Sequence, residues 1–229
     1  MSIRNKKKFA LGAILFVAFV VVLVFIFMPV IGGRNFLEYS DALYNSISKY
    51  SAYFIPELKE KVSKQTGKDI EVTLEVGDAL KAEETARLFS TGEARVEVSG
   101  TAITVRGDLG AILTNCLDDA DAMYRNEGAQ VSGKYAFDER HVLYSWWIAL
   151  KEMDKDLKKQ KKFAEAELVT TVKKKAVESS YNYYGIEPRK ITESIGIVIF
   201  SLIFYVIYTV WYGFAILFLF EGWGLRLEH

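Results

Sequence analysis

FALGAILFVAFVVVLVFIFMPVI, residues 9–31, contains no charged side chain, and its reading decides the architecture of the whole chain. A helix over this stretch rises about 1.5 Å per residue and so covers roughly 34 Å, enough to cross a hydrocarbon core of about 30 Å. It could be a cleaved signal peptide, a buried core helix or a retained membrane anchor. A signal h-region is shorter, about 7–15 residues, and is followed by a small-x-small cleavage site that is missing after Ile31. A core helix of this length would carry a polar face, and this one has none. The stretch therefore predicts a transmembrane helix.

Working outward, residues 1–8 hold Arg4, Lys6, Lys7 and Lys8 with no acid, and a basic flank of this kind stays on the cytoplasmic side. A second uncharged run, IGIVIFSLIFYVIYTVWYGFAILFLF, occupies residues 195–220. Tyr205, Tyr208, Trp211, Tyr212 and Trp223 are amphipathic aromatics of the kind that anchor spans at an interface. Two crossings place residues 32–194 outside, in the periplasm or the extracellular space. They return residues 221–226 to the cytoplasm as a short tail. Arg34, Arg189 and Lys190 flank the spans on the outer side, so the basic bias is a majority and not uniform. The expected location is the inner (plasma) membrane with both termini cytoplasmic.

The 229 residues carry 29 basic and 29 acidic side chains, so the asymmetry lies in their distribution and not in their sum. Nearly all excess hydrophobicity sits in the two runs, and the residues between them read as an ordinary soluble domain. Cys116 is the only cysteine, which excludes an intrachain disulfide and leaves stability to packing. Leu227, Glu228 and His229 resemble the start of a Leu-Glu-polyhistidine tag. His141 is then the single native histidine, too few for a multi-histidine metal site.

Within the domain, Pro29, Gly32 and Gly33 interrupt the first helix, and a new one begins near Asn35. Leu43, Ile47, Tyr50, Phe54, Leu58 and Val62 form its apolar stripe up to Gly67, with Lys49 largely off it. The period then becomes two: Ile70, Val72, Leu74 and Val76 alternate with polar residues as in a half-buried strand. Asp78 caps a short helix closed by Gly92. Ala94, Val96 and Val98 followed by Ile103 and Val105 predict a hairpin. Asp108 caps a helix whose buried face runs from Leu109 through Cys116 to Tyr124, and 128–133 reads as a polar loop. Asp138 opens a long helix through Trp146 and Leu157, and a thinner stripe continues to Tyr184, either unbroken or with one break that no Pro or Gly before Gly185 forces. The expected class is an α+β membrane protein: two transmembrane helices flank a helix-rich extracytoplasmic domain with a small sheet of about three strands, antiparallel or mixed.

Chemistry is sparsely marked. Asp118, Asp119, Asp121 and Glu127 lack the ligand spacing of a calcium loop and fall on the outward face of a helix, which reads as solvated surface. His141 sits beside Asp138 and Glu139 without a nucleophile elbow, which reads as structural. The expectation is a non-enzyme with no catalytic residue, metal or cofactor. Lys158, Lys159, Lys161, Lys162 and Lys173 to Lys175 are interleaved with acids and predict a solvated helix face, not a nucleic-acid site. Tyr144, Trp146 and Trp147 cannot all enter one core, so at least one is a candidate for a partner surface or pocket. Ser201, Tyr205, Tyr208 and Tyr212 step by four, three and four along the second span and share a face suited to helix packing or oligomer contact. These features point to a subunit or scaffold of an envelope membrane complex, with the lipid bilayer, further copies or other membrane proteins as partners. An extracytoplasmic ligand sensor signalling through a separate partner is one alternative. An oligomeric two-span channel or transport component is another.

Overall fold

The computed structural model describes residues 3–225; residues 227–229 lie outside them. The chain is mostly helical and divides into two compact units, one formed by residues through Ile47 with those from Pro188 onward, the other by Ser48–Glu187.

The first unit is an antiparallel helical pair. Helix α1 (Lys6–Phe27) starts where the Asn5 side chain accepts from the Lys8 N–H at 3.1 Å. It stops at Met28, which lies in the extended region because Pro29 follows it. The chain then turns through Gly32 and Gly33, both at positive φ. Asn35 and Glu38 cap each other's backbone N–H at the start of α2 (Phe36–Ser51). The partner of α1 is the last helix, Ile195–Trp223, which ends on Gly224 in the left-handed conformation. Lys8 meets Glu221 at 2.6 Å, the Trp211 indole donates to the Leu15 carbonyl at 3.1 Å, and Tyr208 donates to that of Phe19 at 3.3 Å. Each step forward in α1 is matched by a step back in the other helix. Both helices are long and apolar enough to cross a membrane.

The second unit opens with α3 (Ile55–Ser63) and continues through β1 (Asp69–Glu75), α4 (Ala79–Thr91), β2 (Arg95–Ser99), β3 (Ala102–Asp108), α5 (Leu109–Tyr124), α6 (Gly128–Tyr135) and α7 (Glu139–Lys159). It ends with α8 (Phe163–Val172), a π-helical segment Lys173–Glu178 and α9 (Ser179–Tyr183); the helix at Ile195–Trp223 is α10. The sheet is antiparallel in the order β1-β3-β2, with Val72 and Val96 both opposite Val105. In β1 the even-numbered residues Ile70, Val72 and Leu74 are buried and the intervening ones exposed, as the alternating pattern predicts. The outer edge of β1 is occupied by α7: Asp156 accepts from Thr73 N–H at 3.2 Å, and Gln160 donates to the Glu71 carbonyl at 2.7 Å. An edge covered in this way cannot recruit a further strand. Leu109, Ile112, Leu113, Cys116, Leu117 and Ala120 of α5 are fully or almost fully buried and belong to one continuous core.

Several expectations are corrected. The helix anticipated from Asn35 to Gly67 is two helices, because Pro56 in the first turn of α3 has no N–H to give and would clash with the carbonyl four residues back. Residues 128–133 are helical in α6, where the buried pair Val131 and Tyr135, four apart, outweighs the polar composition. The one break left open between Asp138 and Tyr184 falls at Gln160–Lys162, where the chain folds back with Lys161 at φ 61°. A left-handed non-glycine residue costs about 1–2 kcal/mol. Complete burial of Ala166, Val169 and Val172 against the core offsets that cost.

The acidic group is the largest correction. Asp118 is exposed, but Asp119 is only 3% accessible and Asp121 is buried as well. The Asp119 carboxylate accepts from the Trp146 indole at 2.8 Å, the Tyr135 hydroxyl at 2.6 Å and the Lys134 ammonium at 2.6 Å. Lys134 also reaches Asn115, which donates to the Leu88 carbonyl at 2.9 Å, so one network joins α4, α5, α6 and α7. Burial and the Asp119 charge together hold the Tyr135 hydroxyl well above the ordinary tyrosine range. Asp121 accepts from Tyr53 at 2.7 Å and faces Lys59 and Arg125.

Lys49 is likewise inside, at 1% exposure, and not on a solvated face. It donates to Asn126 at 3.0 Å and to the carbonyls of Tyr183 and Ile186 at 3.1 and 2.6 Å, with its ammonium 5.2 Å from the Tyr124 ring. Tyr124 returns a hydrogen bond to the Lys49 carbonyl. Burial lowers the Lys49 pKa, opposed by Glu187, and pushes Tyr124 up to about 12. This knot joins the stretch where the chain begins the second unit to the stretch where it leaves. Cys116 is fully buried, and burial drives its thiol pKa up, so it is poorly reactive.

Candidate functional site

The three aromatics near the start of α7 separate. Asp138 caps the helix by accepting from His141 N–H at 2.9 Å, which sets the helical register from the first turn. Trp146 then points inward, fully buried, edge-on to Phe89 at 5.4 Å and held by Asp119. Tyr144 and Trp147 emerge on another side, their rings 6.2 Å apart and within 10° of parallel. Tyr144 is 45% exposed, while the Trp147 indole donates to Glu178 at 2.8 Å.

Glu178 belongs to the π-helical segment, where one turn carries an extra residue; such segments are frequent at functional sites. That segment and α9 form the opposite wall of a groove of about 290 Å³ lined by Leu143, Tyr144, Trp147, Val177, Glu178 and Tyr181. Its lining is mainly aromatic and aliphatic. Cations surround it: the ammonium groups of Lys151 and Lys173 lie 5.5 and 5.6 Å from the Trp147 ring. The Arg140 guanidinium lies 5.8 Å from the Tyr181 ring and 5.2 Å from that of Tyr184. Each such contact is worth roughly 0.5–1 kcal/mol at an exposed site and keeps the charge close to the apolar floor.

The remaining candidates lie elsewhere. His141 sits 3.3 Å from a Glu84 carboxylate oxygen and edge-on to Phe137. In the basic stretches, Lys158 pairs with Asp154 one turn back, and Lys175 lies over Phe54. Of the basic residues at the start of α1, Lys8 pairs with Glu221 and Arg4, just before the helix, packs against Gly224, while Lys6 and Lys7 are exposed.

The tyrosine stripe of α10 divides. Ser201 is 2.5 Å from the Tyr44 hydroxyl of α2, and Tyr208 stacks on Phe19 of α1 at 4.3 Å. Tyr212 touches Phe19 from the margin at 5.1 Å, and Tyr205 is 68% exposed. At about 100° per residue, Tyr205 lies roughly 60° further round the helix than Tyr208, which carries it out of the seam. The seam follows every seventh residue instead: Ser201, Tyr208, Ala215 and Gly222. A Cβ at Gly222 would stand 2.6 Å from the Phe9 backbone, and one at Gly12 would stand 2.6 Å from the Leu219 nitrogen. The two backbones touch at these points. Gly12, Trp211, Ala215 and Gly222 were not singled out from the sequence as packing residues, although the seven-residue spacing on α10 was available as a signal. Comparison with family models, curated proteins and solved structures finds no match to this chain.

Proposed function

We propose that the chain is a two-span protein of the inner (plasma) membrane, with both termini cytoplasmic and its soluble unit extracytoplasmic. In this reading it serves as a non-enzymatic subunit or scaffold that binds protein partners. The hairpin of α1 and α10 supports the membrane reading: apart from the Tyr205 and Tyr212 hydroxyls its outer surface is largely apolar, and the Trp211 and Tyr208 donors are spent on backbone carbonyls of the partner helix. In hydrocarbon an unpaired donor costs several kcal/mol, so donors directed into the helix pair suit lipid on the outside. The observation that carries the association reading is the open aromatic groove beside Tyr144 and Trp147. Open aromatic surface of this kind is characteristic of interface anchors.

A photo-crosslinking amino acid at Tyr144, compared with one at exposed Lys64 of the first soluble helices, tests this in native membranes. Discrete higher-mass protein adducts are expected from position 144 and not from 64. Protein adducts equal at both positions, or absent from both, would contradict it; the latter result would favour a small-ligand sensor.

A further inference from the structure

Resting on that association reading, we infer that the groove between α7 and the π-helical segment with α9 receives an amphipathic helix of a partner protein, with an apolar anchor flanked by Asp or Glu. Shape is the first argument. The walls are two helices, and the residues lining it recur at helical spacing on both: Leu143, Tyr144 and Trp147 on one side, Val177, Glu178 and Tyr181 on the other. A trough between helices accepts the anchor side chains of a third helix. Its volume of about 290 Å³ takes one or two large apolar side chains. It lies at the bottom of the range of roughly 300–1,000 Å³ in which drug-sized molecules are enclosed.

Charge is the second argument, and it selects the partner. Arg140, Lys151 and Lys173 stand at the rim, each over an aromatic ring that forms or adjoins the groove. The one carboxylate lining it, Glu178, already accepts from the Trp147 indole. Arg140 shares the Tyr184 end of the groove with Glu139, which accepts from the Tyr184 hydroxyl. Lys151 and Lys173, one from each wall, face only the engaged Glu178 and leave the Trp147 end positive, although the whole chain is neutral. Carboxylates flanking an apolar anchor would find partners on both sides of the groove, whereas a basic helix would be repelled.

The test uses the full chain in nanodiscs of zwitterionic lipid, with empty nanodiscs as blank. Two fluorescein-labelled helical peptides share one Leu/Trp face and differ in having Glu or Lys on the polar face. Fluorescence polarisation at low salt should show the Glu peptide binding about tenfold more tightly, with the advantage shrinking as salt is raised. The double variant Lys151→Glu, Lys173→Glu should reverse the preference. Tyr144→Ser, at an exposed position and with an unchanged circular dichroism spectrum, should weaken the Glu peptide about tenfold. Equal binding of the two peptides, a preference that survives the double variant, or displacement of the Glu peptide by anionic vesicles would overturn the inference. Crosslinking from position 144 combined with equal peptide binding would overturn the acidic partner alone and leave the association reading standing.

Discussion

Asp119→Ala should destabilise the unit of Ser48–Glu187 by about 3–5 kcal/mol, measured by denaturant or thermal unfolding followed through near-ultraviolet circular dichroism. Removing one member of a buried charged network leaves the others uncompensated, and such losses are typically of that size. Here the indole of Trp146 is fully buried, and the hydroxyl of Tyr135 nearly so; both would lose the carboxylate they donate to. Lys134 is partly exposed and can turn to water, so it adds less. Folded domains are stable by only about 5–15 kcal/mol, and the midpoint should fall by roughly 10–20 °C. Asp118→Ala, one residue away on the exposed side and paired with Lys59, should stay within about 0.5 kcal/mol. Equal effects at the two positions would mean that the network has no special place in the core.

The second large effect is expected at Gly12. Its hypothetical Cβ meets backbone atoms of Phe218 and Leu219 at 2.9 and 2.6 Å, and a backbone cannot swing away as a side chain can. Gly12→Leu must therefore separate α1 from α10, and the hydrogen bonds from Trp211 to Leu15 and from Tyr208 to Phe19 depend on that approach. With Lys8→Cys and Glu221→Cys placed at the present ion pair, a short thiol-to-thiol crosslinker should join the two positions in high yield. Gly12→Leu should cut that yield about tenfold or more, while Gly213→Leu, with open space at its Cβ, should leave it unchanged. A yield unaffected by Gly12→Leu would contradict the close seam.

The contrast between these residues shows what the sequence could convey. Alternation in Ile70, Val72 and Leu74 identified β1 because a half-buried strand has only two faces, and one of them is core. The two apolar runs were visible for the converse reason, since no face of either needs to be polar. Asp119 was misread because α5 is covered on several sides: Asp119, Ala120, Asp121 and Ala122 are consecutive and all buried, so helical periodicity carries no information there. The turn at Lys161 left no Pro or Gly mark because tertiary burial enforces it. Tyr144 and Trp147 were legible as excess aromatics beside Trp146. Their groove was not, because its other wall comes from the π-helical segment some thirty residues later, which only the chain reversal brings alongside. The tyrosines of α10 were read as one face, but a face is wider than a seam, and the small residues that permit contact decide where the seam runs.

The proposed topology places the unit of Ser48–Glu187 on the far side of the membrane from the basic N-terminus. Single cysteines at Lys64→Cys and Lys7→Cys, both at exposed positions, can be treated with a membrane-impermeant maleimide; Cys116 stays in place because its buried thiol does not react. Labelling at position 64 on cells with an intact inner membrane, with position 7 labelled only after that membrane is opened, is the expected result. Labelling at 7 from outside, with 64 protected until lysis, would contradict it.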